Sequence, residues 1–230
     1  MAAVAPGVIT ARAKEAASYG IDIHRYIDPN TDTSFVSRLL VYVSRLIGVP
    51  LPAIYAPPGA PGEIDLVVLL NDTRPVPAFV LGRDLVAGRT QQELAFLLTK
   101  KVVGLRADHF LLWPQLVPTL GELRVVFAAA IKLVQPKLDL SDVDPAAVRQ
   151  YLSFLQRVLP QSQVALVAAA VGPVFDGAAN LDLAAWAAVS DEVANRAGLL
   201  ACGDSVASAR EIVREARAFR RRPGRRARAN

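Results

Sequence analysis

Thr90-Gln91-Gln92-Glu93 is the firmest local instruction in this chain. The threonine hydroxyl can accept from the amide three residues on while the glutamate reaches back to the threonine amide, so a helix starts at Gln91. The apolar run behind it places Leu94, Leu98, Val102 and Leu105 on one face at about 100° per residue, and Lys101 falls inside that arc. A lysine on an apolar face must snorkel to water or find a partner. Pro114 and Pro118 break any continuation, and further helices follow. One spans about 120–134, a second is opened by Asp144-Pro145 and runs to about 159, a third goes from Asn180 or Asp182 to about 200, and a last one is capped by Asp204. Before this region, residues 5–20 read as a first helix ending near Gly20. A second, capped by Asp32 or Thr33, carries Phe35, Leu39, Leu40, Val43 and Ile47 at helical spacing and stops at Gly48 and Pro50. Only residues 53–56, 64–70 and 78–81, set around the turn-rich Pro57–Gly62 stretch, read as strands. The fold class expected is therefore α+β, mainly α-helical, with a small antiparallel sheet.

At 230 residues the chain is long enough for a real core, and with 53% hydrophobic and 20% charged residues it is a folding sequence. Its single cysteine, Cys202, excludes an intramolecular disulfide and reads as a small buried apolar residue. The first twenty residues lack a basic start followed by a long apolar core, so no secretory signal is read there. Residues 158–175 are uncharged, but Pro160, Gln161, Ser162, Gln163, Gly172 and Pro173 lie among them. That makes a buried helix a better reading than a membrane span. A soluble, cytoplasmic protein is expected. The net charge of +5 is local in origin: residues 214–230 hold eight Arg and one Glu, a sum of +7, which leaves +5 − 7 = −2 for residues 1–213. Arginine outnumbers lysine 21 to 5, as in proteins of GC-rich bacteria.

Four pieces, taken in order, resemble the HtpX-like and CAAX-prenyl-protease-like zinc metallopeptidases, the gluzincins. They are Leu46-Ile47-Gly48-Val49-Pro50-Leu51-Pro52, then Pro77-Ala78-Phe79-Val80-Leu81-Gly82-Arg83-Asp84-Leu85, then Thr90 to Gly104, then Asp191-Glu192-Val193-Ala194-Asn195-Arg196-Ala197-Gly198. The resemblance covers residues 41–204 and implies a minigluzincin-like fold with the sheet packed beside the former active-site helix. By position it puts Lys100 and Gly104 where the two histidine ligands would sit, Lys101 at the general base, Asp191 at the glutamate ligand and Asn195 at the second-shell aspartate. Zinc needs neutral imidazoles or anionic ligands, and hydrolysis needs a carboxylate near the bound water. Two lysines and a glycine supply neither, so no metal and no cofactor are expected. The resemblance implies a non-catalytic domain that serves as an interaction or scaffold module, one part of a larger protein or assembly. It docks a protein segment in the old substrate groove or along an exposed sheet edge. The organisation expected is an N-terminal helical segment (1–40), the metallopeptidase-like domain (41–213) and an Arg-rich extension (214–230). One expectation is specific: Lys100 or Lys101 pairs with Asp191, an ammonium standing in for the lost cation. The other reading has both lysines reaching solvent along their stems.

Other candidates carry less chemistry. His24 and His109 lie outside the quoted motifs, and His109 reads as a helix-end surface residue. Asp139, Asp142 and Asp144 lack the central Gly and terminal Glu of a calcium loop and suit helix capping. No phosphate-binding Gly loop or nucleophile elbow occurs, and Trp113 and Trp186 read as core. The second functional reading rests on Arg220, Arg221, Arg222, Arg225, Arg226 and Arg228, a stretch suited to nucleic acid or another polyanion but without interleaved aromatics for sequence readout. The partners expected are thus a protein or a second copy of the chain, with nucleic acid through the tail as the alternative.

Overall fold

The computed structural model describes residues 2–138, 143–176 and 182–221. Eight α-helices and one three-stranded sheet are found among them. The helices are α1 (Ala5–Arg12), α2 (Phe35–Ile47), α3 (Gln91–Val103), α4 (Leu120–Val134), α5 (Pro145–Val158), α6 (Gln161–Asp176), α7 (Leu183–Cys202) and α8 (Ser205–Arg221). The strands are β1 (Ala53–Tyr55), β2 (Ile64–Asn71) and β3 (Arg74–Leu81). The α+β, mainly helical class is as the sequence predicts. None of the helices among the described residues is long and apolar enough to cross a membrane.

The sheet is mixed, not antiparallel throughout: its order is β1-β3-β2, with β3 antiparallel to β2 and parallel to β1. The tight turn at Asp72, which adopts a left-handed φ of 54°, folds β3 directly onto β2. β1 adds to the far edge of β3, whose direction it shares, while Lys14 bridges the far edge of β2. β3 also begins four residues earlier than expected, through Pro75 and Pro77. β1 pairs only with Ala78, Phe79 and Val80, so no strand asks the two prolines for the amide hydrogens they lack.

Both faces of the sheet are covered, which is why residues 66–70 of β2 are an unbroken apolar run and not an alternating one. Ile54, Ile64, Leu66, Val68 and Phe79 join the main core with Leu40 and Val43 of α2 and Leu94, Leu97, Leu98 and Val102 of α3. Tyr55, Val67, Leu69 and Ala78 pack on the other side beneath Ala16, Tyr19 and Ile21. The N-terminal segment also departs from the single helix expected over 5–20. α1 ends at Arg12 because Lys14 is taken by the sheet: its amide donates to the Val68 carbonyl and its carbonyl accepts from the Leu70 amide. A short 3-10 turn, Ala16–Tyr19, follows and closes at Gly20, left-handed at φ 67°. On the opposite edge Tyr26 bridges Tyr55, and the Ile27 amide donates to the Ile54 carbonyl. A boundary at 40 falls inside α2. A boundary at 214 likewise cuts α8, which is continuous there.

The caps hold with small shifts. α2 is capped by Ser34, not by Asp32 or Thr33; Asp32 instead accepts from the Ser34 and Ser37 hydroxyls, both at 2.5 Å, which holds its carboxyl below the ordinary range. The capping box on α3 is complete, and Asp144, Asp182 and Asp204 cap α5, α7 and α8. Asp139 and Asp142 lie outside the described residues, as does Asn180. α6 is not the buried helix its composition suggests. Val167 and Val171 are buried, while Ala165, Leu166, Ala168, Ala169 and Ala170 face outward. Trp113 is core, Trp186 is half-buried, and Cys202 is half-buried at the end of α7.

Candidate functional site

α3 is the spine of the site. α7 crosses it antiparallel: Gly198 faces Phe96, and about two turns earlier Asp191 faces Lys100. A Cβ at Gly198 would lie 2.7 Å from Phe96 Cδ2, so only glycine lets the two helices approach this closely. α8 runs alongside in the same direction as α3, with Arg210 near Glu93 and Glu215 at Lys100. Between these helices and the segment after α3 lies a cleft of about 550 Å³ lined by Lys100, Lys101, Gly104, Trp113, Asp191 and Glu215, among others.

Lys100 sits at the centre of a charge cluster. Its Nζ is 2.8 Å from Asp191 Oδ1 and 2.5 Å from Glu215 Oε2, and its side chain is 11% exposed. Burial works against the ammonium, but Glu215 and Asp191 overcome it and hold the pKa above the ordinary lysine value. Asn195 Nδ2 donates to the second oxygen of Asp191 at 3.1 Å and so orients it. Lys101 takes a different route out of the apolar arc: its Nζ lies 5.4 Å from the centroid of the Trp113 ring, in cation–π range. The indole is itself fixed, with Nε1 donating to the Gly104 carbonyl at 2.9 Å and the ring tilted against Phe79. The structure therefore brings together all five residues singled out in the sequence, Lys100, Lys101, Gly104, Asp191 and Asn195. Of the two lysines, Lys100 makes the pair with Asp191.

His109 is a correction. It is not a surface residue at a helix end but is 8% exposed and lines the cleft, because the chain turns tightly after α3 into the 3-10 helix Phe110–Leu112. Sequence reading also missed Glu215 and Trp113. Glu215 carried a signal that could have been used: with Glu211 one turn before it and Ala207 and Ser208 beside them, it marks a polar inward face of α8.

A second ion cluster lies behind the first. Arg89, 2% exposed, donates to Glu211 Oε2 at 3.0 Å, to Glu63, and to the Asp84 and Leu85 carbonyls. Glu211 is fully buried, and Arg214 Nη1 lies 2.8 Å from its other oxygen. Burial pushes the Glu211 carboxyl up, against the pull of Arg89 and Arg214. α8 is thus bound to α3 and its approach loop through carboxylates at 211 and 215.

Among the described residues no three His, Cys, Asp or Glu side chains gather as a metal-ligand set. Of the three carboxylates that line the cleft, Lys100 engages Asp191 and Glu215, and Arg89 engages Glu63. Of the arginines read as polyanion contacts, Arg220 and Arg221 fall in the last turn of α8. Arg222, Arg225, Arg226 and Arg228 lie outside the described residues. No family model, curated protein or solved structure matches the chain.

Proposed function

We propose that this chain is a catalytically inactive metallopeptidase-like domain, degenerate in the HtpX-like sense, that works in the cytoplasm of a bacterium as an interaction or scaffold module of a larger assembly. The observation that carries the reading is the ammonium of Lys100 held between Asp191 and Glu215, with Asn195 orienting Asp191. It is the arrangement expected where a fixed side-chain cation has taken over a position once served by an exchangeable one. A lysine paired to two carboxylates neither activates water nor accepts a proton at neutral pH, so Lys100 lends neither nucleophile nor base to the cleft residues around it. What they supply is shape: an indole, a cationic edge at Lys101, an acid at Asp191 that is more than half exposed, and apolar walls.

Of the two docking modes expected, the groove is favoured over the sheet edge. Lys14 occupies the outer edge of β2 and Ile27 that of β1, which leaves little backbone for an added strand. The alternative, polyanion binding through the arginine-rich C-terminal sequence, is favoured by the local charge of +7.

The two are separated by a photo-crosslinking residue placed at Leu112 on the cleft rim in the native host, with and without nuclease and with residues 220–230 deleted. A protein adduct that survives both treatments is expected. Adducts that vanish with nuclease, or with the deletion, refute the groove and favour the tail.

A further inference from the structure

α8 is folded onto the body the wrong way round for a surface helix. Its inward face is Ala207, Ser208, Glu211 and Glu215, held by the ion pairs to Arg89 and Lys100. Its outward face is apolar: Val206 and Val213 are 58% and 47% exposed, with Ala209 and Ala216 exposed between and beyond them. Val206 and Val213 stand seven residues apart, as do Ala209 and Ala216, so the four form a seam in heptad register. Ile212, 42% exposed, borders the seam on one side. Arg210 and Arg217, both exposed, border it on the other, and a shallow groove runs along this side of the helix.

We infer that the outer face of α8 docks one amphipathic helix of a protein partner, apolar in heptad register and acidic along the edge that meets Arg210 and Arg217. The inference stands apart from the cleft and does not need the cleft to bind anything. The charge pattern selects this occupant. An antiparallel second copy would bring arginine against arginine; a parallel one would set the arginines against Ile212 and lay the two arginine-rich C-terminal sequences side by side. A lipid surface gains little from two valines and two alanines, whereas alanine in a helix seam lets a partner backbone come close. Nucleic acid would use the arginines and has no use for the seam.

The test is titration of the full chain into fluorescent peptides of about four heptads at physiological salt. One peptide carries Leu and Ala in the seam with Glu along its edges. A second carries Lys at those edges, and a third is a scramble of the first. Saturable binding of the Glu-edged peptide alone is expected. Val206→Asp and Val213→Asp, both exposed and checked for an unchanged melt, should each weaken it at least about tenfold. Arg210→Glu with Arg217→Glu should transfer the preference to the Lys-edged peptide. Equal binding of the scramble, indifference to Val213→Asp, or no saturable binding of the Glu-edged peptide overturns the inference. So does a dimer of the protein alone that Val206→Asp dissociates, or sedimentation with phosphatidylserine vesicles that Val213→Asp abolishes.

Discussion

Replacing Arg89 with methionine should destabilise the fold far more than replacing its principal partner. Arg89 is 2% exposed and Glu211 is fully buried, so Arg89→Met leaves a carboxylate in the interior with only Arg214, itself about a third exposed, for compensation. Stranding a buried charge in this way costs about 3–5 kcal/mol, and the remaining Arg214 contact places this variant near the lower end. The reverse change, Glu211→Met, leaves Arg89 with Glu63 and with the Asp84 and Leu85 carbonyls. One charged hydrogen bond is lost and no charge is stranded, so the cost should be about 1–2 kcal/mol. The double variant removes both charges, replaces them with apolar volume, and should be more stable than Arg89→Met alone. Urea titrations followed by circular dichroism give the four free energies, and the cycle closes on a coupling of roughly 1.5 kcal/mol or more. In melting temperature, about 3 kcal/mol corresponds to roughly 6–12 °C for a chain of this size. Additive single costs, with coupling below about 0.5 kcal/mol, would mean that α8 is not held by this pair, and the argument for its polar inner face would fail with it.

Three further outcomes follow from the geometry. Lys100→Met should cost about 1–2 kcal/mol, because two facing carboxylates lose their shared cation, while Asp191→Ala should cost less than about 0.5 kcal/mol, since Lys100 keeps Glu215; equal costs in chemical denaturation would refute this division. Gly198→Ala forces a methyl to within 2.9 Å of two Phe96 ring atoms and should destabilise by about 1–3 kcal/mol, with a melt unchanged from wild type as the contrary result. The Tyr151 phenol donates to Glu122 Oε1 at 2.5 Å, and burial together with that bond pushes its pKa up to about 12. A raised phenol pKa favours the neutral form in the folded state, so stability falls as pH rises from about 10 through 12. Ultraviolet titration of wild type minus Tyr151→Phe should show a midpoint near 12 that drops in Glu122→Gln, and a midpoint near 10 would be fatal to it.

What could be read in advance follows the range of the forces involved. Helix starts were legible because a cap is a local bargain between a side chain and an amide two or three residues on, as at Thr90, Asp144, Asp182 and Asp204. The break at Lys14 was not, since α1 ends there for the sake of carbonyl and amide groups on β2, more than fifty residues away. The orientation of β1 escaped for the same reason: nothing in Ala53–Tyr55 says which edge remains free once the hairpin has closed. In the site, α3 and the Asp191 motif pointed to Lys100 and Asp191, whose chemistry demanded a partner. His109 was missed because its burial depends on how the turn after α3 packs, of which it carries no local mark; Glu215 was missed although its spacing from Glu211 marks a polar face, because only the packing of α8 turns that face inward. α6 misled through composition, since an alanine-rich helix is equally uncharged inside or outside.

The closing of the sheet by residues around 14 and 27 has a consequence for how the molecule is made. Those residues leave the ribosome before the strands they cap, which are synthesised about thirty to fifty-five residues later. The segment around Lys14 must therefore wait, unpaired, until β2 exists, and that around Ile27 until β1 does. An earlier segment thus finds its place only after later ones are made, and until it does the young sheet offers its raw borders to any neighbouring chain.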